Sequence, residues 1–316
     1  MTQLFNLMVQ VMLPLGLLVA AGAFWPRFFA DAEVAVLRMQ LNRLVMYVFY
    51  PCILFAVSAT TPIDRDLLSV PLLVGIGTLI SGALLYILLY VLPIWRLTDP
   101  TRASLMLAGM FGNTFNIGVP VLIFFYGREA TRYAVFNDML MTMPLVWSLG
   151  VWIATRFGSH DKNVKHAPVW RVMLAMPPIW AFILGTVAQL LDIAYAPLVT
   201  AARFIGQATI PVILFVLGLT IPWRRLAPRP EILGAAAVKL VATPLIVWGI
   251  VHAFYDRPGE AQLASVVEGA TPSMMTALLL ADRFRLDAAA AALLIGWSTI
   301  LFWITLPVLM AMGLIR

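Results

Sequence analysis

Ten apolar segments, each long enough to cross a lipid bilayer, follow one another along the chain and leave only short polar connections. A helix that spans a membrane needs roughly 20 predominantly apolar residues. The segments run near 4–25, 36–59, 67–93, 103–126, 132–155, 172–191, 196–221, 232–254, 261–281 and 287–313. Of the 316 residues, 62% are hydrophobic and only 11% are charged, which is too little charge for the surface of a soluble domain. The sequence therefore predicts an all-α, polytopic membrane protein with ten transmembrane helices.

Basic residues are concentrated in the connections that follow odd-numbered segments. Cytoplasmic connections of membrane proteins carry an excess of Lys and Arg, so we expect these connections to be cytoplasmic and both termini to face outward. The longest polar connection, 157–168, contains His160 and His166, which we expect to be solvated surface because no further metal ligand lies beside them. The predicted organisation is 1–156, this cytoplasmic loop and 169–316, without a soluble domain.

The fourth segment contains Gly112-Asn-Thr-Phe-Asn-Ile-Gly-Val-Pro120 in its middle. Glycine and proline weaken a helix, and Asn113 and Asn116 add polar groups at membrane depth. Irregular backbone occurs at that depth only where it is buried in protein or lines a wet cavity. The stretch therefore predicts a broken helix whose break is a candidate binding site. The alternative is a kinked helix that serves packing alone.

An internal duplication relates the two halves of the chain. Pro51-Cys-Ile-Leu-Phe55 resembles Pro211-Val-Ile-Leu-Phe215, and the same offset carries Gly112 onto Pro272 in the ninth segment. Five segments per half is an odd number, so the halves would insert with opposite topology. Interrupted segments at corresponding positions of inverted repeats are typical of the binding site of a secondary transporter. We therefore predict two inverted five-helix repeats with broken, crossing helices 4 and 9.

The chemistry expected at such a crossing favours an anion. Each break provides a half-helix N-terminus, whose unsatisfied N–H groups carry partial positive charge. Amide and hydroxyl side chains can hold a carboxylate or a carboxamide, whereas unwound carbonyls could instead coordinate a cation. The candidate substrate-binding residues are Gly112, Asn113, Asn116, Thr271, Pro272 and Ser273.

Charged residues inside apolar segments are costly and usually functional. Glu268 lies about one turn before the crossover proline, and we expect it to couple transport or contact substrate, since a buried carboxylate can carry a proton. A structural ion pair and a wet vestibule are the alternatives for Glu268. For Asp138 and Lys239, a mutual or neighbouring ion pair is favoured slightly over substrate contact. Arg43 and Arg203 are expected to snorkel or to pin helices.

Four stretches, taken in order, resemble the auxin efflux carrier family of transporters. They are Leu41-Asn-Arg-Leu-Val-Met-Tyr-Val-Phe-Tyr-Pro-Cys-Ile-Leu-Phe55, Gly112-Asn-Thr-Phe-Asn-Ile-Gly-Val-Pro-Val-Leu122 with Tyr126-Gly127, Lys239-Leu-Val-Ala-Thr-Pro244, and Ala270-Thr-Pro-Ser273 with Ala281. The resemblance implies ten helices in two inverted repeats, with a scaffold of helices 1, 2, 6 and 7 and a transport domain around helices 4 and 9. It also implies elevator-like alternating access, homodimers and export of small organic anions such as auxin or dicarboxylates.

Individual residues can be carried over from this resemblance. Asn113 matches the family's site asparagine, and Pro272 matches its crossover proline. Gly112 stands where plant members usually have proline, and Glu268 stands where they have glutamine. The short central loop resembles a bacterial member, which implies an inner-membrane location. A carboxylate near an anion site repels the anion unless it is protonated, so Glu268 favours proton coupling or a substrate other than auxin.

The predicted function is secondary transport of a small organic anion across the lipid bilayer, without a cofactor and with H⁺ or Na⁺ as the coupling ion. The alternative is a sodium-coupled symporter of the bile-acid–sodium symporter type. An intramembrane enzyme is not expected, because the sequence has no His-Glu-x-x-His and no serine or paired aspartates with a partner on a neighbouring turn. No nucleic-acid partner is expected, because the basic residues lie in the short connections.

Overall fold

The computed structural model describes residues 2–92, 94–157, 171 and 174–315, and this part of the chain contains helices and no strands. The helices are α1 (Thr2–Arg27), α2 (Asp31–Ser58), α3 (Arg65–Val91), α4 (Asp99–Met110), α5 (Thr114–Tyr126), α6 (Arg128–Phe157), α7 (Pro177–Leu190), α8 (Ala196–Thr220), α9 (Pro230–Phe254), α10 (Glu260–Gly269), α11 (Thr276–Arg283) and α12 (Ala288–Ala311). The predicted all-α class is confirmed. The loop predicted at 157–168, with its two histidines, lies beyond Phe157 and outside the described residues.

Seven of these helices are long and apolar enough to cross a membrane, namely α1, α2, α3, α6, α8, α9 and α12. The apolar helices α5 and α7 are shorter. Many large hydrophobic side chains are exposed along these helices, Phe5, Leu17, Leu72 and Phe204 among them, as expected for surfaces that face lipid tails rather than water. This composition agrees with a multi-pass membrane protein. The count of ten spans and the inverted repeat stay predictions.

The chain leaves helical geometry at two places and brings the two extended stretches together. The first stretch, 111–113, separates α4 from α5, and the second, 270–275, separates α10 from α11. The stretches run antiparallel: the Asn113 N–H donates to the Pro272 carbonyl (2.7 Å), and the Met274 N–H donates to the Phe111 carbonyl (3.1 Å). We call this pair of stretches the crossover. Its main-chain bonds satisfy backbone groups that the helix breaks leave without intrahelical partners.

Six π-helical turns each end two residues before a proline. Proline lacks an N–H and its ring crowds the carbonyl four residues earlier, so the preceding turn widens. Three of these turns contain polar residues singled out from the sequence: Asn116, Asp138 and Lys239. The six turns are Met8–Met12, Val45–Phe49, Ile87–Val91, Thr114–Gly118, Asp138–Thr142 and Val238–Ala242.

Two groups of helices pack closely within themselves. The first helix group consists of α1, α2, α7 and α8, and the second consists of α3–α6 and α9–α12, arranged around the crossover. In the first group, α1 and α8 meet backbone to backbone at Gly22 and Gly218. A Cβ atom at Gly22 would lie 2.1 Å from the Phe215 carbonyl oxygen, and one at Gly218 would lie 2.1 Å from the Val19 carbonyl oxygen. Such close approach is the usual role of small residues between membrane helices.

Replacing Gly218 by alanine is expected to destabilise the protein by about 2 kcal/mol or more, because extra atoms in a tight interface force the backbones apart and typically cost roughly 1–3 kcal/mol. The matched control is Gly249→Ala, where an added Cβ would meet nothing within 4 Å. Thermal unfolding of purified protein in detergent measures both effects. Equal midpoints for the two variants would contradict the close packing of α1 and α8.

Side chains from different connections meet at each end of the bundle. At one end, the Thr101 hydroxyl, in the first turn of α4, donates to the carboxylate of Asp287 before α12 (2.9 Å). At the other end, the Gln262 amide in α10 donates to the Ser69 hydroxyl (3.1 Å) and to the Asp66 carboxylate (3.3 Å) at the start of α3. We call these the Asp287 end and the Gln262 end. The contact at the Asp287 end joins the connections after the third and ninth predicted segments, and the contacts at the Gln262 end join those after the second and eighth.

Candidate functional site

A cavity of about 350 Å³ lies between the two helix groups and borders the crossover. We call it the first cavity. The second helix group contributes Gly112, Asn113, Thr114, Phe115, Asn116, Asp138, Met143, Met274, Met275, Thr276, Leu278 and Leu279. The first group contributes Asn42, Val45, Met46, Tyr50, Thr209, Ile213 and Thr220. Arg38, Asp282 and Ala288 line the cavity towards the Asp287 end. The cavity therefore extends from the middle of the bundle towards that end.

Two helix N-termini face the first cavity. α5 begins at Thr114 and α11 begins at Thr276, and both residues line the cavity wall. The first N–H groups of a helix have no intrahelical acceptor and carry partial positive charge. Asn113 and Met275, the residues before these helices, make no side-chain capping hydrogen bond. The cavity wall thus presents two sets of backbone donors suited to a negatively charged group.

Two asparagine amides stand beside these donors. The Asn116 amide nitrogen donates to the Asn113 side-chain oxygen (2.8 Å). Asn113 is buried and Asn116 is half-buried, and both line the first cavity. This bond fixes both carboxamides, so that the amide nitrogen of Asn113 can donate to a molecule in the cavity. Carboxamides that are held in this way bind a carboxylate without carrying charge themselves.

Asp138 is the buried carboxylate of the first cavity, and hydroxyl groups hold it. The Tyr50 hydroxyl of α2 donates to Asp138 Oδ2, and the Thr114 hydroxyl of α5 donates to Oδ1 (3.5 Å). Asp138 is 4% exposed. The hydrogen bond from Tyr50 joins the first helix group to the second across the cavity. Asp138 is therefore held in a position where its protonation state acts on whatever occupies the cavity.

Lys239 lies behind the crossover, where its hydrogen-bond partner is a main-chain carbonyl. Its ammonium donates to the Gly269 carbonyl at the end of α10 (2.9 Å), and a Cβ on Gly112 would lie 3.0 Å from Nζ. In the described part of the chain, no contact of up to 4.0 Å joins Lys239 to Asp138 or Glu268. The carbonyl at a helix C-terminus, which carries partial negative charge, is the partner instead.

Glu268 is fully buried in the second helix group and does not line the first cavity. Its Oε2 accepts a hydrogen bond from the Asn137 amide (3.4 Å), and a Cβ on Gly118 would lie 3.0 Å from Oε1. Among the described residues, neither Glu268 Oε1 nor the Asn137 side-chain oxygen has a hydrogen-bond partner. The carboxyl group therefore lies in the packed interface between α5, α6 and α10.

We expect Glu268→Gln to leave the fold intact and to unfold at the same temperature as the wild type or higher. The amide has the shape of the carboxyl group, removes a buried ionisable group and can donate to the Asn137 oxygen, which lacks a partner. Glu268→Ala is the control and should unfold at a lower temperature, because it leaves a void beside Gly118. Thermal unfolding in detergent measures both, and equal losses of stability would show that the carboxylate is needed in its charged form.

The crossover divides the six predicted substrate-binding residues into two sets. Gly112, Asn113 and Asn116 line the first cavity. Thr271, Pro272 and Ser273 lie in the other extended stretch, where they are buried away from the cavity surface. Their polar groups hold the crossover together. The Thr271 hydroxyl donates to the Glu268 carbonyl (2.8 Å), and the Ser273 N–H donates to the Ser298 hydroxyl (3.1 Å).

The structure adds site residues that were not predicted from the sequence. Tyr50 and Thr114 hold Asp138, and Asn137 contacts Glu268. A signal was present in the sequence, since each is a polar side chain within an apolar segment, and Tyr50 directly precedes a proline. A hydroxyl or an amide at membrane depth is less conspicuous than a charge, because its burial costs less.

Comparisons with known proteins agree with this architecture. Residues 7–310 match the model of a family described as membrane transport protein. A protein of Methanothermobacter thermautotrophicus, named an uncharacterized transporter, is 29% identical over 276 residues, which cover 84% of this chain and 86% of that protein. An uncharacterized transporter of Methanocaldococcus jannaschii is 26% identical over 261 residues, covering 78% of this chain and 80% of the relative.

These matches confirm the resemblance seen in the four sequence stretches. They also bear out the expectation of a membrane transporter rather than an enzyme, since the family as a whole consists of transport proteins. The match extends through the crossover and both helix groups. The chain therefore belongs to the membrane transport protein family that includes the auxin efflux carriers.

Proposed function

We propose that this chain is a secondary transporter of a small organic anion, which binds in the first cavity and is linked to a proton. The observation that carries the proposal is the convergence of two helix N-termini and the Asn113 amide on one cavity of about 350 Å³. A cavity of this volume is of the size that encloses small ligands. The backbone donors of α5 and α11 would hold a carboxylate, and the methionine and leucine side chains would contact its apolar part.

Proton linkage follows from the presence of Asp138 in the same cavity. An ionised aspartate and a carboxylate substrate repel each other at such short range. The substrate therefore binds better when Asp138 is protonated, and its affinity rises as the pH falls. Glu268 of α10 interacts electrostatically with Asp138 and with Lys239 of α9, and Arg38 and Asp282 lie towards the cavity mouth. Of these groups, Asp138 is the one that lines the cavity and bonds to both helix groups.

A cation-coupled importer is less well supported by the contacts at the crossover. The Phe111 and Pro272 carbonyls already accept main-chain hydrogen bonds, and the Gly269 carbonyl accepts from the Lys239 ammonium. Each of these oxygens therefore already accepts a hydrogen bond, and the positive charge of Lys239 lies next to the Gly269 carbonyl. This arrangement favours a proton over a sodium ion as the coupling ion.

Alternating access in this proposal is a movement of the second helix group against the first. The two groups correspond to the transport domain and the scaffold implied by the family, with α1, α2, α7 and α8 as scaffold. The substrate cavity lies between them, so that relative sliding would carry it across the membrane. The inverted repeats 1–156 and 169–316, the elevator-like movement and assembly as a homodimer belong to the same proposal.

The proposed orientation has both termini outside and the Asp287 end in the cytoplasm of a bacterial inner membrane. Connections rich in Lys and Arg follow the odd-numbered segments, and two of them, after the third and ninth segments, meet at the Asp287 end. Because the first cavity extends towards that end, this conformation would be open to the cytoplasm. An exported anion would enter the cavity from this side.

The proposal is tested by counterflow in liposomes that contain the purified protein. Vesicles are loaded with benzoate or with succinate, and uptake of the same radiolabelled anion is measured at several pH values. We expect saturable exchange of at least one of the two anions, faster at acidic pH and independent of sodium. Exchange that requires sodium, or stabilisation of the protein by sodium but by neither carboxylate, would overturn the proposal.

A further inference from the structure

A second cavity, of about 370 Å³, lies on the far side of Phe115 from the first. We propose that it is a separate binding site for a small carboxylate with an apolar body, occupied by the transported anion before or after the first cavity. The role of this second site in transport rests on the proposed function, whereas its suitability for an anion does not. Its walls come from α2, α5, α6 and α8, and thus from both helix groups.

Two guanidinium groups make the second cavity suited to an anion. Arg203 and Arg128 line it, and no carboxylate is found among the described residues of its wall. The Arg203 guanidinium donates to the Thr60 hydroxyl at the end of α2 (3.0 Å), which holds it in a fixed position while leaving further N–H groups to donate. Arginine binds a carboxylate through a planar pair of N–H groups, and more strongly where water is partly excluded.

Neutral donors surround the arginines. Gln207 lies one turn after Arg203 on the same face of α8, since residues four apart in a helix are neighbours. Arg128 and Thr131 belong to the first turn of α6, so the N-terminal end of that helix also faces the cavity. Three types of donor from two helices therefore converge on one site. Arg203 is part of this group of donors, whereas the sequence predicted only that it snorkels or pins helices.

The remainder of the wall is apolar and determines the class of ligand. Ile53, Val119, Ile123, Ile210 and Pro211 contribute aliphatic surface. A ligand with an aromatic or branched aliphatic body and one carboxylate would bury its body there and pair its charge with the arginines. A fully polar anion would leave this surface without a partner.

Phe115 separates the second cavity from the first. It lines both, it is 4% exposed, and its ring packs edge-on against Tyr50 with 4.7 Å between centroids. Tyr50 in turn bonds to Asp138 in the first cavity. One aromatic side chain thus divides two anion-binding cavities that open in different directions. Thr60 and Arg128 belong to connections that follow even-numbered segments, as do the residues that meet at the Gln262 end. The second cavity therefore lies towards the Gln262 end.

Isothermal titration of the purified protein with benzoate tests this inference. The wild type is expected to bind two benzoate molecules. The double variant Arg128→Gln/Arg203→Gln should lose one binding event, or weaken it by about tenfold or more for each guanidinium. Asn113→Ala should lose the other event only. Arg203→Lys keeps the charge at the Thr60 contact and should retain intermediate affinity, which distinguishes lost binding from a folding defect.

Arg65→Gln is the matched control, because Arg65 is exposed and does not line the cavity. It should bind benzoate as the wild type does. A double variant with unchanged binding, or a wild type whose only binding event disappears in Asn113→Ala, would overturn the second site. Arginine-dependent binding without any counterflow would support the second site while contradicting the proposed transport function. Both binding events should weaken with salt, but the arginine-dependent one more steeply.

Discussion

Asn113→Ala is expected to weaken carboxylate binding in the first cavity by about 100-fold while leaving the fold intact. The substitution removes one donor to the anion and also the oxygen that fixes the Asn116 amide at 2.8 Å. A hydrogen bond to a charged group contributes roughly 1.5–3 kcal/mol and one between neutral groups roughly 0.5–1.5 kcal/mol. Since about 1.4 kcal/mol corresponds to a tenfold change, the loss of one bond of each kind gives this magnitude. The crossover should persist, because it uses the main-chain N–H of residue 113. Titration with benzoate measures the effect.

The variant Asn113→Asp tests whether the substrate is an anion or a cation. The aspartate can still accept the bond from Asn116, so the local geometry is retained, but it adds a negative charge to the cavity. We expect carboxylate binding to be abolished and thermal unfolding to be unchanged. Gln40→Ala, at an exposed position of α2, is the control and should bind as the wild type does. Undiminished carboxylate binding by Asn113→Asp would exclude this asparagine from the anion site.

Asp138→Asn is expected to abolish the pH dependence of transport while preserving exchange. The asparagine cannot be ionised, so carboxylate binding should become as tight at neutral pH as it is in the acidic wild type. One of the Tyr50 and Thr114 hydroxyls retains an oxygen to which it can donate, the other can accept from the asparagine NH2 group, and the cavity keeps its shape. In liposomes, we expect counterflow to persist at all pH values, and accumulation driven by a pH gradient to fall to the level of protein-free vesicles.

Glu268→Gln is the matched control for this experiment, because it neutralises the other buried carboxyl group without altering the cavity wall. It should keep the pH dependence of the wild type. The reverse result, with pH dependence lost in Glu268→Gln and retained in Asp138→Asn, would assign the coupling proton to the carboxyl behind the crossover. Loss of exchange itself in Asp138→Asn would mean that the carboxylate holds the substrate and does not merely repel it.

The helix breaks at the crossover could be predicted because glycine, asparagine and proline mark them locally. The structure adds a reason for Gly112 that the sequence pattern does not contain. A Cβ at this position would lie 2.4 Å from the Thr271 hydroxyl oxygen, so the two extended stretches could not approach each other. The internal offset that paired Gly112 with Pro272 thus identified two segments that meet in space.

The partners of the buried charges could not be predicted, since they come from distant parts of the chain. Tyr50 and Asp138 are separated by 88 residues, and Asn137 and Glu268 by 131. The depth of a charge in an apolar segment shows that it needs a partner, but not which one. In the described part of the chain, the hydrogen-bond partners of these charged groups are hydroxyl, amide and carbonyl groups. The π-helical turns also displace side chains from the face that a regular helical period would assign.

The crossover is held by hydrogen bonds between main-chain atoms, which every residue except proline can donate and every residue can accept. The bonds from Asn113 to Pro272 and from Met274 to Phe111 would form whatever side chains the donor residues carried, apart from proline. At Gly112, by contrast, the close approach of the Thr271 hydroxyl leaves no space for a side chain. The main-chain structure of the crossover therefore does not depend on the side chains that line the cavity. Exchanging the side chains at 113, 114 and 116 would give new selectivity without a new fold.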